Sequence, residues 1–328
     1  MAATSLNDPR RVVLVLGGAG FLGSHVVRRF ARGGWRVVVV DGLLPRTGGR
    51  AASLADLAGR IELIPRRVEE LADLTEHLER SEVVIDCMAW TRHQEALADP
   101  LYDLSLNLTA HLHLVGRLPA GGGQRVIYLG SRGQYGRVEG EEITEDTPMV
   151  PCDVQGVHKV AAESHYRIFA GLRRLAIVSL RLPNCFGPGQ PVDGEDVGLV
   201  GGFVRDLLAR RPVVVYGTDR SRYLAYAPDV AEAVWLLAEC CPPGFAACNY
   251  AGRRVGLGEL ATRLCELVGT GEWRGAPMPE ALARTEVGDA RISDARLRRL
   301  LPVIPCTPLA AALRETVADV RRRLEPGE

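Results

Sequence analysis

Short apolar runs, rich in β-branched residues, recur through the first half of the chain at Val12–Leu16, Val37–Val40, Ile61–Ile64, Val83–Asp86, Arg125–Leu129 and Ala176–Leu180. Between them lie stretches with helical spacing, roughly Phe21–Arg32, Val68–Leu78, Pro100–Arg117 and Gln155–Leu172. A strand that is apolar throughout is covered on both faces, and strands alternating with helices form parallel sheet. With right-handed crossovers the pattern predicts an α/β fold, a doubly wound parallel sheet carrying a smaller, mainly helical C-terminal substrate domain.

Beyond Arg181 the pattern changes. Residues 182–202 are rich in glycine and proline, with a turn-like Gly187-Pro188-Gly189. A helix at about Gly202–Arg210, a strand Val213–Tyr216 and a helix Asp229–Cys240 follow, then amphipathic helices near Gly258–Val268, Asp294–Leu301 and Leu309–Leu324. This order predicts a large domain of residues 1–181 plus roughly 213–250, and a cap of roughly 182–212 and 251–328. The leucines of helix 101–117 (Leu101, Leu104, Leu106, Leu108, Leu112 and Leu114) point around its axis, so it is buried on most sides. One side packs on the sheet; the other meets either the rest of this chain or a second copy.

The first strand runs directly into Gly17-Gly18-Ala19-Gly20-Phe21-Leu22-Gly23, and a helix starts near Gly20. Strand, glycine turn and helix in that order are the Rossmann arrangement for a dinucleotide. Gly17 allows the tight turn, Gly20 lets backbone approach the pyrophosphate, and Gly23 permits close helix–strand packing. The helix N-terminus offers free N–H groups to the phosphates. The second strand ends in Asp41, whose carboxylate accepts hydrogen bonds from ribose hydroxyls and repels a 2′-phosphate, which favours NAD over NADP. Arg46 pulls the other way.

Lys+Arg and Asp+Glu are 40 each, so the chain lacks the charge imbalance by which a nucleic-acid binder attracts phosphates. No apolar run is long enough to span a bilayer, and Met1–Pro9 has no signal-peptide core. A cytoplasmic protein is expected. The eight cysteines show no CxxC pair and no zinc-type spacing with histidine, so no metal site is expected and the thiols read as scattered and reduced.

A further set of landmarks follows in order: Asn107, Tyr128-Leu129-Gly130-Ser131 then Tyr135-Gly136, Lys159 with Glu163, Arg181-Leu182-Pro183-Asn184 then Gly187-Pro188, Arg222 then Asp229, and Asn249. With the glycine turn and Asp41, these resemble the extended short-chain dehydrogenase/reductases, the NAD-dependent epimerase/dehydratase family that acts mainly on nucleotide sugars. The resemblance runs from about Val12 to Val317. It implies that Ser131 hydrogen-bonds the reacting hydroxyl or carbonyl and that Lys159 holds the nicotinamide ribose. It places Met88, Ala89 and Asn107 on the cofactor side and Asn184 and Arg222 on the substrate, the latter through its diphosphate. It also implies a homodimer built on the helices at 101–117 and 155–172.

The chain departs from that family at its acid–base residue. The family's tyrosine stands four residues before the lysine, where this chain has Gln155. Gln155 and Lys159 share a helix face, but an amide cannot transfer a proton near neutral pH. General acid–base catalysis is worth about 10²–10⁴ in rate. His93 and His158 rank first as replacements, having a suitable pKa range; Arg92 and His93 lie in a loop the resemblance places near the substrate. A second departure is Glu286-Val287-Gly288-Asp289, where the family commonly carries another phosphate-binding arginine. Arg284 and Arg291 are the nearby candidates to replace it. Three functions stay open: a sugar-nucleotide epimerase, dehydratase or ketoreductase with an atypical site; an oxidoreductase or isomerase on a non-nucleotide carbonyl or hydroxyl compound using another acid–base group; and a non-catalytic NAD-binding sensor or partner subunit.

Overall fold

The computed structural model describes residues 11–121, 123–194, 197–284, 286–301 and 303–324; the polar stretch Met1–Pro9 lies outside them. The chain opens with β1 (Val12–Leu16), β2 (Arg36–Val40), β3 (Glu62–Ile64), β4 (Val83–Asp86) and β5 (Arg125–Ser131). With Ala176–Leu182 and Gly244–Asn249 they form one seven-stranded sheet, in the spatial order Gly244–Asn249, Ala176–Leu182, β5, β4, β1, β2, β3. Every pairing in it is parallel. The direction of winding reverses between β1 and β4, which opens the crevice where doubly wound sheets bind ligands.

Successive side chains of a strand point to opposite faces, so each central strand feeds two cores. Val13 and Val15 pack under the helices Phe21–Arg32 and Ala227–Cys240. Leu14 and Leu16 pack under Leu74–Arg80, Ala110–Val115 and Val154–Arg173. The strand Gly244–Asn249 is absent from the sequence expectation because Gly-Phe-Ala-Ala-Cys-Asn carries no β-branched residue.

Helix 100–115 is continuous but not uniform. It runs as α-helix at Pro100–Leu104, makes a π turn at Ser105–Thr109, and resumes at Ala110–Val115. Such a turn is a local widening often found beside functional sites, and here it carries Asn107.

The smaller domain has its own core around Val204, Leu207, Leu224, Leu260, Leu264 and Leu313. Ser221–Tyr226 lies between Asn184–Phe186 and Arg253–Gly256. The strand Val213–Tyr216, expected with the large domain, pairs instead with Trp273–Ala276. Its burial alternates, with Val213 and Val215 inside, so it is a half-covered strand of the cap that a continuous Val-Val-Val run disguises as a central one. No helix among the described residues is long and apolar enough to cross a membrane.

Candidate active site

The glycine turn folds as its composition requires. Gly17 has a positive φ of 70°, and its N–H donates to the Val40 carbonyl at 2.8 Å, tying the turn to the end of β2. A Cβ on Gly23 would stand 2.1 Å from the Gly17 carbonyl oxygen, and one on Gly17 would stand 2.9 Å from the Cys87 backbone. The helix Phe21–Arg32 thus begins hard against the turn, with no acidic residue in its first turn to compete for its N–H groups. Asp41 Oδ2 accepts the Ala19 N–H and Oδ1 the Leu43 N–H, both at 2.9 Å. Arg46, the residue that argued for a 2′-phosphate, pairs with Glu95 and Asp99 and lies over the rings of Trp90 and Tyr102. Its guanidinium is engaged within the protein, as are both oxygens of Asp41.

From this turn a cleft of about 1670 Å³ extends between the domains, larger than the roughly 300–1,000 Å³ of a single small-ligand pocket. Of the described residues to which the sequence gives a catalytic, cofactor or substrate role, all but Asn107, His158 and Arg291 line it. Its floor holds Lys159, buried, with Nζ donating to the carbonyls of Met88 and Leu129 at 3.3 Å each. Burial pushes the Lys159 ammonium down to about 8, with Asp86 and Asp103 opposing the fall. Ser131 ends β5 and caps the turn that follows: its Oγ accepts the Gly133 N–H at 3.0 Å while its own N–H donates to Gln134 Oε1 at 2.8 Å. Gln134 in turn donates to Glu163, which Arg181 and Ser179 hold in place. The Ser131 hydroxyl thus keeps its proton for a ligand oxygen. Tyr135, four residues on, is buried against Arg181 and Asn249 and does not reach the cleft.

Two assignments change. Asn107 is fully buried; its Oδ1 accepts the Trp90 N–H at 3.0 Å, and its Nδ2 donates to the Trp90 carbonyl at 2.9 Å and to Asp103 at 2.7 Å. It holds the loop at Trp90 and does not line the cleft. His158 turns from the cleft to the neighbouring helix, where Nδ1 meets Asp103 Oδ1 at 2.5 Å. The i+3 spacing from Gln155 does not by itself bring His158 to the cleft, because its ring is turned to Asp103 instead.

Gln155 does line the cleft, but its amide is committed to the fold. Its Nε2 donates to the Trp90 carbonyl at 2.8 Å, the same oxygen that Asn107 serves. His93 stands at the cleft wall beside the start of the same helix. Its Nδ1 meets Asp153 Oδ2 at 2.8 Å, and Asp153 Oδ1 caps the helix by accepting the Gly156 N–H at 2.7 Å. The imidazole holds the Asp153 carboxyl below its ordinary value against the opposing effect of burial. Asp153 went unnoticed in the sequence, although an aspartate preceding a helix is a readable cap. Asn184 is exposed in the cleft. Arg92 is tied to Glu95 and to the carbonyls of Arg46 and Asp193. Arg222 donates to the Ser221 carbonyl at 2.8 Å and forms an ion pair with Glu286. Arg291 is exposed and away from the cleft, on a short strand pairing with Glu142–Ile143, and the side chain of Arg284 lies outside the described residues.

The model of the NAD dependent epimerase/dehydratase family matches residues 13–244. The chain belongs to this family. It is 29% identical to a UDP-glucose 4-epimerase of Mycolicibacterium smegmatis over 322 residues, 94% of this chain and 98% of that protein. Among solved structures it is similar to the UDP-glucose 4-epimerase of Thermotoga maritima with UDP-glucose, at 26% identity and a TM-score of 0.84, covering 96% of this chain and 100% of that one. The UDP-glucose 4-epimerase of Thermus thermophilus in complex with NAD gives 26% identity and a TM-score of 0.78, covering 94% and 99%. The chain is therefore an enzyme of the nucleotide-sugar epimerase/dehydratase family, and NAD is its cofactor. The residues present fit that cofactor: the turn leaves room for backbone alone to approach it, Asp41 closes the end of β2, and Lys159 lies on the floor.

Proposed function

We propose that the chain exchanges a hydride with a hydroxyl-bearing carbon of a sugar, as epimerases, dehydratases and ketoreductases do, with His93 performing the proton transfer that Gln155 cannot. NAD, when bound, supplies the two-electron acceptor and donor. Ser131 donates its hydroxyl to the reacting oxygen. His93 takes the proton from that oxygen during oxidation and returns it during reduction, and Asp153 steadies the imidazolium. Lys159, charged near neutrality, favours negative charge on the oxygen as the proton leaves. The observation that carries this reading is the His93–Asp153 pair at 2.8 Å, in the same cleft as Ser131 and Lys159. A histidine oriented through Nδ1 by a carboxylate is the arrangement general bases use elsewhere.

The experiment is a panel of sugars and nucleotide sugars, with the nicotinamide absorbance as readout. With a responding substrate, His93→Gln lowers kcat by about 10²–10⁴ and removes the acid limb of the pH profile, while NAD still binds. An unchanged rate and limb in that variant would falsify the role of His93. Binding of NAD with no redox change on any substrate would leave the sensor or partner-subunit reading in its place. Likeness to UDP-sugar enzymes favours a nucleotide sugar as substrate. The assembly that the two exposed apolar helices support is a homodimer.

A further inference from the structure

Lys159 is the only lysine of the chain, against 39 arginines. An arginine in its place would keep its charge, whereas a lysine is a compact point charge that can give up its proton. The groups that face Lys159 are Asp86 at the end of β4, Cys87 in the loop that follows, Asp103 from helix 100–115 and the Tyr128 ring of β5. Burial pushes the Cys87 thiol and the Tyr128 phenol up, so both stay neutral. Glu163, one turn along the same helix, is answered by Arg181. The charge on Lys159 is therefore decided by the two aspartates.

Asp86 is fully buried and lies behind the cleft without lining it. Its Oδ1 accepts the Met88 N–H at 2.9 Å, and its Oδ2 accepts from His111 Nδ1 and from the Tyr166 hydroxyl, each at 2.5 Å. The Met88 carbonyl in turn accepts from Lys159. Burial keeps Tyr166 a neutral phenol. His111 Nε2 is buried with no partner among the described residues. An imidazolium there would leave a charged N–H without an acceptor, whereas the neutral ring leaves only a lone pair, so the neutral ring costs less. Asp86 is thus bonded by three neutral donors, and the cation that answers its charge is Lys159. Asp103 differs, since it is shared between Asn107 and half-buried His158.

We propose that Asp86 is a positioning residue for the nicotinamide end of the cofactor: its buried charge keeps Lys159 an ammonium, and through Lys159 it tilts the cleft towards the reduced form, NADH. The oxidised ring carries a positive charge that the reduced ring lacks. Lys159 lines the cleft and Asp86 stands behind it, and the nearer charge has the larger effect. The test needs no sugar substrate, so it stands apart from the role given to His93. With one lysine in the chain, NAD-loaded protein made with isotopically labelled lysine gives a single side-chain resonance, and NMR reads its titration directly. In the wild type that titration is centred at about 8. Asp86→Asn moves it down by at least about one pH unit, as loss of a neighbouring opposite charge does. At a pH between the two midpoints, the ratio of NADH affinity to NAD affinity falls at least about threefold in the variant, because a charge is lost beside the ring. In a Lys159→Met background the same substitution brings no fall, whereas a merely structural loss at Met88 would still bring one. A lysine titration unmoved by Asp86→Asn, or an equal fall of the ratio in the Lys159→Met background, overturns the proposal. Should Asp86→Asn fail to fold, Asp86→Ser, which keeps an acceptor for the Met88 N–H and drops the charge, is read in the same way.

Discussion

Lys159 is the residue on which burial and chemistry pull hardest against each other. It is nearly inaccessible, and its ammonium lies over the Tyr128 ring and between two carbonyls, with Asp86 as the nearest buried countercharge. Its pKa falls from 10.5 to about 8 because desolvation outweighs Asp86. A lowered pKa means that the folded chain releases this proton before the unfolded chain does. Between pH about 8 and about 10.5 the unfolded state therefore binds more protons, and the contribution of Lys159 to stability rises with pH across that window. The expected outcome is that wild type gains on Lys159→Met in urea midpoint as pH climbs from 8 towards 10.5. A constant difference between the two proteins across the window would show that the ammonium is not desolvated in the native state. The same shift keeps Lys159 charged at neutral pH, where the proposed mechanism uses its charge, and lets it discharge in mildly alkaline solution.

At the scale of elements, the loop after β4 is held from three directions by one tryptophan. The Trp90 backbone is clasped by Asn107 from the π turn and by Gln155 from the helix Val154–Arg173, and its indole N–H donates to the Arg46 carbonyl at 3.0 Å. Asn107→Ala leaves a buried N–H without its acceptor, for which about 1–3 kcal/mol of stability is lost. It also frees the loop that carries Met88 and Ala89. The expected result is a lower urea midpoint together with weaker NAD binding; a destabilised variant with NAD affinity intact would separate the clasp from the cofactor site. This clasp also marks the limit of what the sequence discloses. The parallel sheet, the helix Phe21–Arg32 and the glycine turn were legible because each rests on local periodicity or on a backbone shape only glycine permits. Asn107, Gln155 and His158 were assigned by position along the chain, and position could not say which backbone group or carboxylate each meets. The π turn was invisible because its leucines follow no helical stripe that differs from an α-helix buried on several sides. The pairing of His93 with Asp153 and the hold of Glu286 on two arginines join residues distant in sequence, and only the folded chain brings them together.

For the whole molecule, two helices leave apolar surface that the single chain does not cover. Val157, Ile168 and Leu172 are 50%, 55% and 74% exposed, and Leu101 is 75% exposed. Along Val154–Arg173 the positions 157, 161, 164, 168 and 172 repeat every three or four residues and so form one stripe. Half-buried Leu108 and Leu112 extend the surface along helix 100–115, which packs beside it. A stripe of this kind on one protomer is complementary to itself when turned about a two-fold axis, and isologous pairing is the commonest way soluble chains close such a surface. Pairing these helices across the axis makes a four-helix bundle and buries the exposed side chains at about 25 cal/mol per Å². Sedimentation equilibrium of the wild type is expected to give twice the chain mass, and Ile168→Asp with Leu172→Asp to give the chain mass while NAD still binds, since neither residue lines the cleft. A wild type that sediments as a single chain at all concentrations removes the dimer. The site would then have to be complete within one chain, as the pairing of Asp103 with His158 and of Asp153 with His93 inside one protomer already permits.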